Sequence, residues 1–420
     1  MRREFAREGL GYALRVPEIM TELTVDRMSR SRGETHGELT VLCGLPGTRS
    51  SDGHIHQARF NLTSTTARTS VAKVLQQRSA APEVDWLDLL EDLCRRVLAA
   101  DREGDPVAKV GALPMELREN YRLDPLMPLD QVTILFGDGG VGKSTLATAI
   151  AVSVQEGVSV VEHWVARQAP VLYLDWEAGR AALNRRVRGV AMGAHIPRVV
   201  QIDYLDCRRR GPLHGFAEDV ARMVDREGYG LVVVDSVGMA SGTGGEGGDA
   251  NETALRLFGA FGFIGTTILA IDHVNKVDAE TTSKRSRPYG SIFKSNLARA
   301  TYEMRRSESS QVVGVYHMKV NDGPLQPPVG LHVSYSDDGA IVYERQAGLP
   351  TELTTSLSLT DQIKAAIRLN GHLTHEELAD ELGHDPEKVR KLLYRYNGRY
   401  FARLASGRWE LLPEAVSHAG

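Results

Sequence analysis

The sequence predicts an α/β protein in which a mostly parallel β-sheet forms the central domain, with an α+β region before it and a small helical unit after it. Three observations lead to this prediction. Apolar runs of strand length alternate with helix-like segments over residues 116–346, as in parallel sheets that are covered by helices on both faces. A glycine-rich stretch follows the first of these runs. Residues 359–420 change to short helix-like segments with basic side chains.

The composition is that of an ordinary globular protein. The chain has 420 residues, of which 42% are hydrophobic and 25% charged, enough for about two or three domains. Its net charge of -4 excludes a strongly basic protein, so contact with nucleic acid would need a local patch. Cys43, Cys94 and Cys207 are spaced too widely for a disulfide framework or a zinc site. No apolar stretch approaches about 18 residues, so we expect a cytoplasmic protein that does not bind membranes.

Residues 1–115 form the predicted α+β region. Glu38–Leu42 alternates between polar and apolar residues and predicts a strand, while Val84–Asp101 has apolar residues at helical spacing. His54 and His56 are expected to be loop residues rather than metal ligands, because no further ligand lies at metal spacing. The region has no catalytic constellation, and we expect a partner protein, where there is one, to bind here.

The central domain is expected to contain five buried strands followed by three strands at the sheet edge. The first five runs are nearly all apolar, as burial on both faces requires. The last three are separated by Gly, Pro and Asp turns, which predicts an antiparallel extension. The eight runs are Val132–Phe136, Val171–Leu174, Val199–Ile202, Leu231–Val234, Thr267–Ile271, Val312–Tyr316, Leu331–Tyr335 and Ala340–Tyr343.

The glycine-rich stretch GDGGVGKST has the spacing G-x-x-x-x-G-K-[ST]. Backbone N–H groups in such a loop, together with the following helix N-terminus, bind phosphate. Lys143 would reach the β- and γ-phosphates, and the Ser144 hydroxyl would ligate Mg²⁺. The alternative is an ordinary glycine turn, which the preceding strand and the helix-compatible Leu146–Val154 disfavour. We therefore expect ATP and Mg²⁺ to bind at Gly137, Asp138, Gly139, Gly140, Val141, Gly142, Lys143, Ser144 and Thr145.

Acidic residues follow two of the later strands, at the edge where parallel sheets bind ligands. Asp175 and Glu177 follow the second strand, where a carboxylate would orient and deprotonate the water that attacks the γ-phosphate; a solvated loop acid is the alternative. Asp235 closes the fourth run, the usual position for an acid that holds Mg²⁺ through water.

Polar residues also follow the Thr267–Ile271 run. They would sense the γ-phosphate and relay its loss, and a capped strand end is the alternative. These residues are Asp272, His273, Asn275 and Lys276.

Taken together, G-D-G-G-V-G-K-S-T, L-Y-L-D-W-E, V-V-V-D-S and I-D-H-V-N-K resemble the motifs of RecA-fold ATPases. Within that fold they are most similar to the RepA-type group of hexameric replicative helicases. The resemblance covers roughly residues 120–345. It implies that Glu177 is the catalytic base, that Asp235 is the Mg²⁺-associated acid, and that His273 is the sensor next to the γ-phosphate.

The resemblance extends to YGSIFKSNLARATYEM and HMKVNDGP. It implies that Arg299 is an arginine finger supplied to the neighbouring subunit and that Lys319 lies at the same interface. Asn321 stands where the DnaB-like branch has arginine, which favours the RepA-like assignment. RepA-type helicases are little more than the ATPase core, whereas this chain has about 115 further residues before it and a module after it.

A polar linker, residues 347–358, is expected to lead to a winged helix-turn-helix over residues 359–420. Three helix-like segments are followed by a hairpin that turns at Ser406-Gly407. The third helix would enter the major groove of DNA, with the basic hairpin near phosphates. The alternative is a winged helix that contacts another protein and whose arginines are exposed to solvent. The residues expected to contact nucleic acid are Lys388, Arg390, Lys391, Arg395, Arg403 and Arg408.

These patterns predict an ATP-hydrolysing DNA motor, a RepA- or DnaB-like helicase or translocase that works as a homo-oligomeric ring, expected to be a hexamer. Single-stranded DNA would occupy its channel, with Ser241–Glu252 as a channel loop, and duplex DNA would bind the winged helix. A second hypothesis is an ATP-dependent switch that binds DNA and signals to a partner without unwinding. A third, a P-loop small-molecule kinase, is disfavoured because Arg299 and Lys319 suit a subunit interface better than an acceptor pocket.

Overall fold

The computed structural model describes residues 1–50, 52–104, 107, 109, 120–242, 249–274, 288, 292–321, 323–355 and 357–412. The chain divides into two compact units, Met1–Met115 and Glu116–Gly420. Over the described ranges, no helix is both long enough and apolar enough to cross a membrane.

The first unit is a five-stranded antiparallel sheet in sequence order, packed against two helices. Leu39 and Val41 point from the sheet into the core, where Trp86 of the second helix is also buried. His54 and His56 lie in the last strand, so their assignment to a loop is wrong. The elements are β1 Glu4–Glu8, β2 Gly11–Val16, β3 Thr21–Ser31, β4 Glu34–Cys43, β5 His54–Asn61, α1 Thr65–Arg78 and α2 Trp86–Glu103.

The second unit contains a nine-stranded sheet whose first six strands are parallel and whose last three are antiparallel. A small three-stranded sheet lies beside it, formed by β6 Tyr121–Asp124, β7 Met127–Pro128 and β9 Val165–Ala166. From one edge to the other, the large sheet consists of β11 Asp203–Asp206, β10 Val171–Asp175, β12 Leu231–Asp235, β13 Thr267–His273, β8 Val132–Gly137, β14 Ala300–Arg306, β15 Val312–Val320, β16 Val329–Tyr335 and β17 Ile341–Gln346.

Helices cover both faces of this sheet. In β12, Leu231 and Val233 face the core that also contains the helices following β8 and β10. Val232 and Val234 face the core on the opposite side of the sheet. Burial on both faces explains why this strand is continuously apolar. The helices are α3 Lys143–Glu156, α4 Arg180–Gly193, α5 Ala217–Glu227, α6 Val237–Ser241, α7 Ala250–Ile264 and α8 Ile292–Leu297.

The strand expected at Val199–Ile202 is wrong, because the chain instead forms β11 four residues later. Val199 is 84% exposed. β11 pairs only with β10, in the register Leu172↔Asp203. An edge strand is not obliged to be apolar on both faces, so the more polar D-Y-L-D run is suited to this position.

The C-terminal residues of the second unit form three helices and a hairpin, as expected. The middle helix begins with a capping box between Thr374 and Glu377, and the third begins at the cap Asp385. Their core includes Leu378 and Trp409. After α9 Thr351–Thr354 in the preceding segment, the elements of the module are α10 Leu359–Asn370, α11 His375–Leu382, α12 Pro386–Arg395, β18 Phe401–Arg403 and β19 Trp409–Leu411.

Within the segment expected to be a linker, residues 347–358, the part around Leu349 and Leu353 is packed against the large sheet. Leu349 and Leu353 are buried in a cluster with Val312 and Tyr316, and the Tyr316 hydroxyl donates a hydrogen bond to the Leu353 carbonyl. The central domain and the C-terminal helices are therefore joined by an ordered connection rather than by a loose tether.

Candidate functional site

The glycine-rich loop connects the carboxyl end of β8 to the first turn of α3. Gly140 and Gly142 have φ angles of 79° and 95°, a left-handed conformation that favours glycine. A side chain at Gly137 would bring its Cβ within 2.4 Å of the Met304 carbonyl. No side chain caps α3, so its first N–H groups remain for a phosphate. The loop thus has the backbone geometry that phosphate binding requires.

Lys143 lies under this loop with its side chain folded back onto it. Its Nζ donates hydrogen bonds to the carbonyls of Gly137, at 2.9 Å, and Asp138, at 2.7 Å. Burial lowers the pKa of Lys143, and the nearby carboxylates of Glu177 and Asp235 oppose that effect. A phosphate would replace two carbonyl acceptors with a charged one, which forms stronger hydrogen bonds.

Ser144 and Asp235 line the same cavity, and the Ser144 hydroxyl is close enough to lower the pKa of Asp235. Asp235, at the end of β12, also accepts a 2.7 Å hydrogen bond from the Tyr173 hydroxyl. Burial raises the pKa of Asp235, and the two hydroxyl groups oppose that increase. The structure therefore brings together the hydroxyl and the carboxylate that were expected to bind Mg²⁺.

Glu177 and His273 meet beside the phosphate loop. The Ser236 hydroxyl donates a hydrogen bond to Glu177 Oε1, and His273 Nε2 lies 3.8 Å from the same oxygen. Both side chains remain partly exposed, 43% for Glu177 and 48% for His273. A hydrogen-bonded carboxylate that still faces solvent can accept a proton from water.

Asp175, the other candidate acid, is used within the protein. Its carboxylate accepts hydrogen bonds from the backbone N–H groups of Glu177, Ala178 and Gly179, at 2.8, 2.9 and 2.6 Å, and from the Tyr204 hydroxyl at 3.2 Å. The side chain is almost fully buried. Asp175 thus shapes the turn that presents Glu177, which favours Glu177 as the catalytic acid–base group.

A cavity of about 320 Å³ contains these groups and extends beyond them toward the antiparallel edge of the sheet. The cavity is also lined by Arg186 of α4, Arg306 at the end of β14, Tyr335 and Tyr343. Sequence reasoning missed these four residues, because they belong to no motif and come from separate elements. Arg306 and Tyr335 are exposed, and Arg186 is close enough to Asp235 for its charge to lower the pKa of that carboxylate.

Arg299 lies at the opposite end of the sheet from the phosphate loop. Its backbone N–H donates to the Val132 carbonyl at the start of β8, whereas the loop follows Gly137 at the end of that strand. Five residues of strand span roughly 17 Å. Lys319 lies at the same end as Arg299, paired with Thr301 in the β14–β15 register.

Lys319 binds the end of the short helix that precedes Arg299. Its Nζ donates hydrogen bonds to the carbonyls of Ser295, Asn296 and Ala298, at 2.8, 2.8 and 2.6 Å. Burial lowers the pKa of Lys319, and the charge of Arg299 contributes to this shift. A cation on the last carbonyls of a helix stabilises that helix, so Lys319 helps to fix the position of Arg299.

The basic residues of the C-terminal helices divide into two groups. Lys388, Arg390, Lys391 and Arg395 on α12, and Arg403 on the hairpin, are exposed, although Arg390 forms an ion pair with Glu387 and Arg403 donates to the Tyr394 hydroxyl, both within the module. Arg408 instead donates to the His372 carbonyl and to Glu377 Oε1, at 2.6 and 2.7 Å. Its guanidinium therefore holds the hairpin against α11.

Some sequence predictions concern residues outside the described part of the chain. They are residues 243–248 of the expected channel loop, Asn275 and Lys276.

Residues 116–279 match the family model described as an AAA domain. The chain contains a P-loop ATPase domain. This match, with the loop geometry and the mostly parallel sheet, confirms the prediction of an α/β ATPase. The RepA-type assignment and the winged helix stay predictions. No curated protein matches the chain.

Three solved structures are similar to the ATPase region. A KaiC-like protein from the hyperthermophilic archaeon Pyrococcus horikoshii is 17% identical, with a TM-score of 0.37, over 57% of this chain and 99% of that one. A structure described as an ATPase domain is 15% identical, with a TM-score of 0.38, over 51% and 84%. The RadB recombinase is 16% identical, with a TM-score of 0.37, over 52% and 91%.

Proposed function

We propose that the chain is an ATP-driven DNA motor, a helicase or translocase of the RepA/DnaB kind, in which each active site is shared by two subunits of a ring. The observation that carries the proposal is the separation of two groups of residues. Glu177, Ser144 and Asp235 surround the phosphate loop, while Arg299 lies at the other end of the same sheet.

ATP hydrolysis is assigned to the first group. Lys143 and the loop N–H groups would hold the phosphates, and Ser144 with Asp235 would hold Mg²⁺, which neutralises phosphate charge when bound. Among the described residues, no cluster of three His, Cys, Asp or Glu side chains could hold a metal ion. The Ser144 hydroxyl and the Asp235 carboxylate would therefore bind Mg²⁺ together with oxygens of the phosphates. Glu177 would take the proton of the attacking water.

The second group, which contains Arg299, is proposed to act at the active site of the neighbouring subunit. A side chain some 17 Å along the sheet from the phosphate loop cannot serve its own γ-phosphate, whereas a head-to-tail ring brings one subunit's far edge to the next subunit's loop. Phe293 and Leu297, one turn apart on α8, are 37% and 40% exposed. Exposed apolar residues next to Arg299 suit burial against a second copy of this chain.

Binding of duplex DNA is assigned to the C-terminal helices, as a winged helix. The exposed cations are concentrated on α12 and the hairpin, and the buried side of α12, including Val389 and Leu393, packs into the module core. A helix that is held on one side and basic on the other is suited to a DNA groove.

Two measurements test this function: the ATPase rate with and without single-stranded DNA, and strand displacement from a forked duplex. A motor should hydrolyse ATP faster with single-stranded DNA and should separate or move along strands. A rate that single-stranded DNA leaves unchanged, with no displacement or translocation, would contradict the motor.

The ordered connection at residues 347–358 favours a second candidate, an ATP-dependent switch. Tyr316 of β15 is hydrogen bonded to the Leu353 carbonyl, and Ser307, just after β14, donates to Glu352. A displacement of β14 or β15 would therefore be transmitted through Glu352 and Leu353 to the helices proposed to bind DNA. A switch predicts that affinity for duplex DNA differs between the ATP and ADP states while single-stranded DNA leaves turnover unchanged.

A further inference from the structure

A buried ion pair between Asp272 and Lys294 has no part in the chemistry assigned above. Asp272 is in β13, one residue before His273, and Lys294 is in α8. The Nζ of Lys294 lies 2.9 Å from Asp272 Oδ2, and the two side chains are 3% and 1% exposed. Burial raises the pKa of Asp272, and the charge of Lys294 opposes that increase. Because burying two charges is costly unless they are held together, the pair fixes α8 against the tip of β13.

The Asp272 end of the pair is at the phosphate edge of the sheet. Asp272 Oδ1 also accepts a 2.9 Å hydrogen bond from the His273 N–H, and His273 pairs with Gly137 at the start of the phosphate loop. A shift of this strand tip when the γ-phosphate is lost would therefore move the carboxylate that Lys294 binds.

The Lys294 end leads to Arg299. The Ala298 N–H donates to the Lys294 carbonyl at 3.1 Å, Lys319 binds the last carbonyls of α8, and Arg299 follows immediately. A helix of six residues is too short to be stable alone. Two cations therefore add to its packing against α7: Lys294 joins it to β13, and Lys319 binds its last carbonyls.

We propose that Lys294 is a positioning residue that couples the nucleotide site of one subunit to the arginine finger it offers to the next. It acts through α8 on Arg299 and thus on the neighbour's active site. This inference rests on the proposed shared site. The competing role is support of the subunit's own site through His273, but the β8–β13 ladder already holds His273, whereas Lys294 lies within α8 itself and its ion pair joins that helix to β13.

The test uses Lys294→Met in the full chain, which keeps the length of the side chain and removes its charge. We expect ATP turnover to fall about 10²-fold, the scale of loss for a displaced catalytic group, with binding of a non-hydrolysable ATP analogue unchanged. Asp272→Asn/Lys294→Met serves as a second variant, because removing both charges avoids a buried carboxylate without a partner. Thermal unfolding of each variant establishes that it is folded.

Subunit mixing then separates the two roles. A Lys294→Met subunit should have a sound phosphate loop and a misplaced finger. Mixed with Lys143→Ala, which has the opposite defect, it should regain activity at about one interface in four of a randomly mixed ring. Mixed with Arg299→Ala, which also lacks a working finger, it should regain none.

Each other outcome contradicts the proposal. Recovery with Arg299→Ala and not with Lys143→Ala would place the defect in the subunit's own site. Recovery with neither, while Arg299→Ala and Lys143→Ala rescue each other, would make Lys294 a purely structural residue. Absence of rescue between Arg299→Ala and Lys143→Ala, with subunit exchange established, would instead remove the shared site itself and the coupling with it.

Discussion

The hydroxyl of Ser236 donates a hydrogen bond to the carboxylate of Glu177, across the ends of two neighbouring parallel strands. This contact holds one carboxylate oxygen in place and leaves the group partly exposed beside the phosphate loop. His273 Nε2 lies 3.8 Å from the same oxygen, so a displacement of either side chain would change the surroundings of the other.

Glu177→Gln should bind ATP and fail to hydrolyse it, because an amide can orient water but cannot take its proton. We expect turnover to fall by about 10² to 10⁴-fold with little change in analogue affinity, measured by single-turnover hydrolysis and equilibrium binding.

Asp175→Asn is the matched control for that experiment. Asp175 accepts three backbone hydrogen bonds in the same turn, so this variant should lower the unfolding temperature as well as the activity. If Glu177→Gln instead lost nucleotide binding, Glu177 would be structural and its assignment as the base would be wrong.

Lys143→Ala should abolish ATP turnover and leave the protein folded. Lys143 contributes a charge to the phosphates, and its ammonium group donates two hydrogen bonds to carbonyls of its own loop. Loss of one such charged group costs about 10² to 10³-fold or more. Steady-state hydrolysis and thermal unfolding measure the two effects, and near-normal turnover would contradict the phosphate-loop assignment.

Lys388→Ala/Lys391→Ala should weaken duplex DNA binding and flatten its salt dependence. Each lost phosphate contact lowers the slope of log K against log salt by about 0.9, so two contacts predict a change of about 1.8. ATP turnover without DNA should stay unchanged, since both side chains are exposed on α12.

Arg408→Ala provides the comparison within the same module. Arg408 joins the hairpin to α11 through His372 and Glu377, so its loss should lower the stability of the module more than the salt slope. Unchanged duplex affinity in the lysine variant would favour a module that contacts protein.

The free energy of unfolding of the second unit should depend on pH through the protonation of His317. Burial lowers the pKa of His317 from 6.5 to about 4, and His317 Nδ1 accepts a 2.9 Å hydrogen bond from the Gln326 N–H. As the pH falls from 6.5 toward 4, the unfolded chain gains a proton that the folded chain does not. The free energy of unfolding should therefore fall by up to about 1.4 kcal/mol per pH unit over this range.

Chemical denaturation at several pH values measures that slope. His317→Phe keeps a ring stacked on Tyr302 and removes the titrating group, so the slope between pH 6.5 and 4 should be smaller in the variant. An equal slope in both proteins would contradict the assignment of this pH dependence to His317.

The sequence predicts those parts of the site that lie within one contiguous motif. The spacing of the residues from Gly137 to Thr145 is enough to identify the phosphate loop. The continuous apolar run before Asp235 identifies a strand that is buried on both faces. The pattern misplaces β11 because an edge strand escapes that double burial, so its D-Y-L-D sequence gives no apolar signal.

Residues that meet only through the fold could not be found in this way. Arg186 and Tyr343 line one cavity but are separated by more than 150 residues of chain. Lys294 resembles any surface lysine in sequence, and only packing of α8 against β13 gives it a buried partner. The choice of Glu177 over Asp175, which the resemblance implies, is supported independently by the backbone hydrogen bonds that occupy Asp175.

Arg299→Ala tests assembly and chemistry together. If Arg299 reaches the neighbour's γ-phosphate, its loss removes a charge that can contribute about 10³ to 10⁵-fold in turnover. The variant should be nearly inactive, should still bind ATP, and should still assemble, because the backbone of Arg299 keeps its bond to Val132. Mixed with Lys143→Ala, it should form interfaces in which an intact loop meets an intact arginine, at about one interface in four of a head-to-tail ring. Activity should then appear in the mixture although neither variant has it alone, and it should follow the rate of subunit exchange. A small-molecule kinase that uses Arg299 within its own chain would show no such recovery.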